Sequence, residues 1–186
     1  MPDLRDQLAA LSRGRVCLMG LGNEDYGDDG LGVVLARGFA RRCPVSSERS
    51  LDTSSSFESG ATGMHAPVVI IGGTAPEHWL SRLSDDEFDH VVFFDAVDFG
   101  GEPGSAILLE GESIAARFPQ ISTHKLSLGL LARWVESRGA TAWLLGVQPA
   151  SLRPAETISS SVQATLEILN GLLAEIWCPL QAPAGA

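Results

Sequence analysis

Acidic and imidazole side chains occur in three segments that the sequence places at the carboxyl edge of a sheet. Asp28 and Asp29 lie in the glycine-rich stretch 20–32, Asp95 follows four bulky apolar residues, and His124 stands where a helix is predicted to begin. In an open parallel sheet, ligands bind beyond the carboxyl ends of the strands. Two carboxylates and one imidazole meeting there would form an incomplete shell for a divalent metal ion, open to water or to ligands from another protein.

Each of these residues also has a simpler interpretation. Aspartate is favoured at helix starts, so Asp28 or Asp29 could be a helix cap. His124 could cap a helix or make a hydrogen bond in the core, and Asp98 could form a turn. Asp95 is the strongest candidate, because a carboxylate behind a buried strand needs a partner, a hydrogen bond or a metal. Position alone does not decide between these interpretations.

Several catalytic signatures are absent from the sequence. Gly20 and Gly22 are followed by Asp25 where the third glycine of a GxGxxG motif belongs, and the loop is acidic where a pyrophosphate would sit. The chain contains no phosphate-binding P-loop, no GxSxG elbow and no HExxH zinc motif. The sequence therefore does not indicate dinucleotide binding, phosphate-loop chemistry or serine hydrolysis.

Apolar runs of strand length alternate with helical patterns along the chain. Helices are predicted at residues 1–12, 29–42, 76–83, 123–138 and 156–177, and strands at 15–20, 68–71, 90–95, 106–110 and 141–148. This alternation predicts a three-layer α/β fold, with a mostly parallel five-stranded twisted sheet and helices on both faces. We expect residues 1–186 to form a single domain, with a mobile loop insertion at 44–66.

The composition limits the partners and the compartment. Twenty-three acidic residues against thirteen basic ones give a formal charge of -10, which repels phosphate backbones, so no nucleic-acid partner is expected. No apolar run is long enough to span a bilayer, and residues 1–12 carry charges that a signal-peptide core lacks. Three widely spaced cysteines without a CxxC pair suggest neither a disulfide framework nor a thiolate zinc site. We therefore expect a cytoplasmic protein that does not associate with membranes.

Five motifs, taken in order, resemble those of the hydrogenase maturation proteases, which remove a C-terminal extension from the large subunit of nickel-iron hydrogenases. The first is Gly-Leu-Gly-Asn at 20–23 with Gly-Asp-Asp-Gly at 27–30, and the second is Gly-Gly-Thr-Ala-Pro-Glu at 72–77. The others are Asp-Ala-Val-Asp-Phe-Gly at 95–100 with Pro-Gly at 103–104, Thr-His at 123–124, and Leu-Gly-Val-Gln-Pro at 145–149. The resemblance covers residues 16–177 and is closest to the branch that processes formate-hydrogenlyase-type hydrogenases. Ile71 departs from it, because the family usually has an aspartate there.

The resemblance implies a function and a role for each candidate residue. Asp29, Asp95 and His124 match the three family residues implicated in contacting nickel, and we expect them to be both catalytic and metal-binding. The nickel would arrive in the large-subunit precursor, so that cleavage follows metal loading; other divalent ions could replace it in the isolated protein. A metal-polarised carbonyl or a metal-activated water would break the peptide bond. Asp98 is predicted to support a ligand or to transfer a proton.

Two other functions fit parts of the sequence. A nickel-sensing binding module or a maturation chaperone would dock the same precursor without cutting it, and the sequence alone does not separate this function from proteolysis. Peptidyl-tRNA hydrolases share an opening of the Gly-Leu-Gly-Asn type, but their RNA substrate requires a basic face. The net charge of -10 argues against that function.

Overall fold

The computed structural model describes residues 3–43, 66–85, 87–118 and 127–178, and within them the chain forms a five-stranded sheet. The strands are β1 (Val16–Leu21), β2 (Val68–Gly73), β3 (His90–Ala96), β4 (Ala106–Glu110) and β5 (Thr141–Val147). They lie in the order β2-β1-β3-β5-β4, and only β4 runs antiparallel to its neighbour. The predicted strand number and mostly parallel arrangement are confirmed.

Helices cover both faces of this sheet. They are α1 (Leu4–Leu11), α2 (Leu31–Arg42), α3 (Leu80–Asp85), α4 (Gly111–Arg117), α5 (Leu128–Glu136) and α6 (Ser160–Trp177). Residues of α1, α2 and α6 share one buried cluster with one side of the strands, and residues of α3, α4 and α5 share a second cluster with the other side. The predicted three-layer α/β fold is therefore confirmed. The described part of the chain contains no helix long and apolar enough to cross a membrane.

The central strand β3 illustrates why the sequences of the strands are uninterrupted apolar runs. Val92 and Phe94 belong to the cluster on one face of the sheet, whereas Val91 and Phe93 belong to the cluster on the other. All four side chains are buried. A strand covered on both faces has no solvent-facing side, so polar residues appear only at its ends. Asp95 is such a residue.

Three helices differ most from the prediction. The helix predicted at 123–138 begins only at Leu128, where Ser127 caps it by accepting a hydrogen bond from the Leu130 backbone nitrogen. The last helix begins at Ser160 rather than near residue 156, because the preceding residues are held by hydrogen bonds to another loop, described below. Helix α4 is not predicted at all, since its seven residues bury few apolar side chains and leave no readable helical period. The predicted insertion at 44–66 lies, apart from Ala66, outside the described residues.

The expectation that the cysteines form no disulfide is wrong for one pair. Cys43 and Cys178 follow the last residues of α2 and α6, and they form a disulfide with their Cα atoms 6.0 Å apart. That separation is ordinary for this bond. The two residues lie 135 positions apart, so only the packing of α2 against α6 brings them together. The cysteines therefore do not support the expected reducing compartment.

His90, the first residue of β3, gives the fold a pH dependence. Burial lowers the pKa of His90 below its ordinary value of 6.5, although Asp89 and Glu110 act in the opposite direction. The folded chain thus favours neutral His90, whose Nδ1 accepts a hydrogen bond from Trp143 Nε1 at 3.4 Å. Above pH 6.5, His90 is neutral in both the folded and the unfolded chain. Below pH 6.5, the unfolded chain takes up a proton at His90 before the folded chain does, so the free energy of unfolding falls.

We predict that the free energy of unfolding falls more steeply between pH 7 and pH 5 in the wild type than in a His90→Phe variant. Denaturant unfolding at several pH values measures both slopes. The other histidines and carboxylates are common to the two proteins, so a difference in slope reports His90 alone. Parallel pH profiles would contradict the assignment.

Candidate active site

The turn that carries Asp28 and Asp29 lies directly over the ends of β1 and β3. A side chain on Gly32, in the first turn of α2, would come within 2.1 Å of the Phe94 carbonyl oxygen, and one on Gly20 would come within 2.4 Å of the Gly32 carbonyl oxygen. Such distances exclude any side chain at either position. Glycine at both positions lets the start of α2 approach the strand backbone, which brings the 3-10 turn Gly27–Gly30 into contact with β3.

Asp29 is held within this turn by the residues that follow β1. Its Oδ2 atom accepts a hydrogen bond from the Asn23 backbone nitrogen at 2.8 Å, and its side chain is almost fully buried. Gly22 adopts φ +114°, and a side chain there would lie 1.7 Å from the Asp29 carbonyl oxygen. The Gly-Leu-Gly-Asn motif therefore shapes the backbone that places Asp29.

Asp28 makes different contacts from those of Asp29. It is completely buried, and its Oδ2 atom accepts hydrogen bonds from the backbone nitrogens of Ala150 and Ser151 and from the Ser159 hydroxyl, at 2.8, 3.1 and 2.9 Å. Its Oδ1 atom accepts one from the Ser159 backbone nitrogen at 2.7 Å. Four donors occupy this carboxylate, so it ties the turn to the segment after β5 and is not a helix cap.

Asp95 lies near the carboxyl end of β3, one residue before the strand ends. Its side chain is 4% exposed, which confirms the burial expected from the apolar run before it. Its Oδ1 atom accepts a hydrogen bond from the Ala96 backbone nitrogen at 2.9 Å. Strands β1 and β3 are adjacent and parallel, with Gly20 paired to Phe94, and the turn that carries Asp29 contacts β3. Asp29 and Asp95 therefore lie at the same edge of the sheet.

The turn after β3 is organised by Gln148, which the sequence analysis includes in the motif at 145–149 without giving it a role. Its Oε1 atom accepts hydrogen bonds from the backbone nitrogens of Phe99 and Gly101, at 2.9 and 3.1 Å. Its Nε2 atom donates to Asp98 Oδ1 at 3.1 Å and to the Pro149 carbonyl oxygen at 3.4 Å. Gln148 is a buried polar residue at the end of an apolar strand, the same signal that marks Asp95, and that signal could have identified it.

Asp98 is exposed at this turn. Its Oδ1 atom accepts hydrogen bonds from Gln148 Nε2 and, at 3.1 Å, from the Gly100 backbone nitrogen. These bonds lower the pKa of Asp98 below its ordinary value, the one from Gln148 having the larger effect. Asp98 is therefore fully ionised near neutral pH, which does not suit a group that must exchange a proton there.

The predicted triad is only partly within the described chain. His124 lies outside the described residues, whereas Asp29 and Asp95 lie at the same edge of the sheet. Among the described residues, no three His, Cys, Asp or Glu side chains are grouped so that they could hold a metal ion. The metal-binding and catalytic roles of Asp29, Asp95 and His124 therefore stay predictions. Residue 71, where the resemblance leads one to expect an aspartate, is an isoleucine packed against the core.

A sequence model of the hydrogenase maturation protease family matches residues 58–175. The matched range includes Asp95, Asp98, His124 and Gln148, and it begins after the turn that carries Asp28 and Asp29. A curated relative, the hydrogenase 3 maturation protease of Escherichia coli strain K12, is 27% identical over 132 residues, which is 71% of each chain.

Solved structures of related proteins have the same fold. The crystal structure of a nickel-iron hydrogenase maturation protease from Thermococcus kodakarensis is 27% identical and superposes with a TM-score of 0.71, covering 92% of this chain and 98% of that one. A hydrogenase maturating endopeptidase from Escherichia coli, 23% identical, superposes with a TM-score of 0.63 over 87% of this chain and 90% of that one. The latter likeness concerns the fold alone.

The hydrogen bonds of Asp28 generate a stability prediction. In an Asp28→Asn variant, the NH2 group of the new amide must face either the backbone nitrogens of Ala150 and Ser151 or that of Ser159. In both orientations a buried N–H donor faces another donor and loses its acceptor. We expect the free energy of unfolding to fall by about 2–4 kcal/mol. Denaturant titration measures the loss. Asp25→Asn, an exposed aspartate of the same loop, is the matched control, and equal stability of the two variants would contradict the role of Asp28.

Proposed function

The chain belongs to the hydrogenase maturation protease family and is an endopeptidase that acts on a hydrogenase precursor, and we propose that it removes the C-terminal extension of a nickel-iron hydrogenase large subunit after nickel insertion. In this proposal the nickel is part of the substrate and serves as the recognition element. The observation that carries the proposal is the presence of two buried carboxylates at one edge of the sheet, Asp95 near the end of β3 and Asp29 in the turn that contacts β3.

The donor set suits a metal that arrives with its own ligands. Carboxylate oxygens and an imidazole nitrogen bind several divalent ions, nickel included. Asp29 and Asp95 with His124 would supply three ligands, fewer than most divalent ions take up, and the precursor would supply the rest. A precursor without nickel would then lack the atom that joins it to the protease. Selectivity for the loaded form follows from this incomplete ligand set.

The peptide bond is cleaved, in this proposal, with help from the nickel held by the precursor. A divalent metal can polarise the scissile carbonyl or activate a water molecule. The sequence offers no Ser-His or Cys-His arrangement that would provide a protein nucleophile. The contribution of this chain is to orient the loaded precursor at the sheet edge through rigidly held carboxylates. Asp28 serves this purpose indirectly, because it fixes the turn that carries Asp29.

The proposal predicts that Asp95→Ala and His124→Ala variants stay folded and lose processing by about 100-fold or more. Purified protein is incubated with nickel-loaded and nickel-free precursor, and the precursor mass is followed over time. Wild-type protein should shorten the loaded form alone. Glu112→Ala removes an exposed carboxylate from α4, which follows β4 at the opposite edge of the sheet, and should cleave at the wild-type rate.

The outcomes separate the candidate functions. Cleavage of both precursor forms would contradict the use of nickel as recognition element, and wild-type-like cleavage by either the Asp95 or the His124 variant would contradict the proposed ligands. Binding of loaded precursor without any change in its mass would support a nickel-sensing chaperone instead. Circular dichroism of each variant shows whether a loss of processing reflects a loss of fold.

A further inference from the structure

We propose that Asp98 binds an N–H donor of the precursor peptide through its outward carboxylate oxygen, and that Gln148 is the residue that positions it. The inference rests on the proposed function, because it names a further contact for the same substrate at the same edge of the sheet. Substrate binding differs from both roles that the sequence suggested for Asp98, which were support of a metal ligand and proton transfer.

The orientation of the Gln148 amide is fixed by its surroundings. Gln148 is 7% exposed, and its Oε1 atom accepts hydrogen bonds from two backbone nitrogens, those of Phe99 and Gly101. A flipped amide would place its NH2 group against both of these donors. Buried donors that face each other are strongly unfavourable. The Nε2 atom is therefore directed at Asp98 in every low-energy arrangement.

The two oxygens of Asp98 differ in their surroundings. Oδ1 accepts hydrogen bonds from Gln148 Nε2 and from the Gly100 backbone nitrogen, each at 3.1 Å. Oδ2 accepts none from the described residues, and the side chain is exposed. Aspartate in a turn commonly accepts the backbone hydrogen bond from two residues ahead, but the bond from a buried glutamine side chain goes beyond what such a turn needs. It holds the carboxylate in one orientation with Oδ2 directed to solvent.

The charge state of Asp98 agrees with a binding role. Its pKa is lowered by the hydrogen bonds from Gln148 and Gly100, so the carboxylate is an acceptor at any pH near neutrality. A general acid or base works best when its pKa lies near the working pH. An ionised oxygen in a fixed position instead gives a strong, directional hydrogen bond to an N–H group.

The location of the turn identifies the precursor as the source of that N–H group. Asp98 follows β3 at the edge of the sheet that carries Asp29 and Asp95. A precursor that brings its nickel to these two carboxylates must pass close to the turn. The donor is either a cationic side chain or a backbone amide of the precursor, and salt distinguishes them, because screening weakens only the charged pair.

The first test compares Asp98→Asn with wild type in steady-state cleavage of nickel-loaded precursor. Asparagine can keep its oxygen toward Gln148 and Gly100 while presenting NH2 in place of Oδ2. We expect KM to rise about 10-fold or more, with kcat within about 3-fold of wild type and an unchanged melting temperature. Glu102→Gln, which removes the same charge from an exposed residue of the same loop, is the matched control and should keep the wild-type KM.

The second test uses Gln148→Glu, which retains an acceptor for Phe99 and Gly101 but sets a carboxylate against Asp98. We expect KM to rise as in Asp98→Asn, and the melting temperature to fall because two carboxylates repel each other. In the double variant Asp98→Asn/Gln148→Glu, the amide of residue 98 can turn its NH2 group toward the new carboxylate, which removes the repulsion and leaves a neutral oxygen outward. The melting temperature should therefore recover, and KM should lie below that of Asp98→Asn. Such non-additivity identifies one shared contact.

A wild-type KM and kcat in Asp98→Asn would overturn the inference, since Asp98 would then only shape the turn. A reduced kcat with unchanged KM and a shifted pH profile would overturn it in favour of proton transfer. Calorimetric affinities for loaded precursor are measured in parallel. A wild-type protein that binds but does not cleave would contradict the proposed function, while a weaker affinity of Asp98→Asn would still support the contact.

Discussion

The buried carboxylate of Asp28 is the interaction on which the arrangement of the site depends most. A carboxylate removed from water is unfavourable unless donors surround it, and here the donors come from three residues more than 120 positions away. The turn after β1 and the segment after β5 must therefore take up their conformations together. Because α6 begins directly after Ser159, the same hydrogen bonds also set where the last helix starts.

The segment after β5 holds both acid-bearing loops. Asp28 connects it to the turn of Asp29, and Gln148, the residue that follows β5, connects it to the turn of Asp98. In each case one buried polar side chain accepts hydrogen bonds from several backbone nitrogens of the loops beyond the strand ends. The loops of this edge are thus fixed by long-range hydrogen bonds as well as by their own glycines and local hydrogen bonds. A rigid edge suits a site that must complete the ligand set of a metal supplied from outside.

The layers of the fold could be predicted from the sequence, whereas the partners of its polar groups could not. The runs that form β1, β3 and β5 are apolar throughout, since helices bury both sides of them. Asp95 is recognisable because it interrupts such a run. By contrast, the sequence around Asp28 is compatible with a helix cap, and the sequence around Cys43 does not indicate a disulfide. Their partners, Ser159 and Cys178, become evident only in the folded structure. These pairs are distant in sequence and leave no local pattern. The role of His124 is predicted from the resemblance and stays a prediction.

The central claim is that nickel held by the precursor gains ligands from Asp29, Asp95 and His124. X-ray absorption at the nickel edge, recorded on loaded precursor frozen immediately after mixing with the protease, measures this most directly. The account predicts additional oxygen and nitrogen scatterers around nickel on mixing with wild type, and fewer on mixing with Asp95→Asn. A nickel spectrum that stays the same while the wild-type protein goes on to cleave the precursor would contradict the claim.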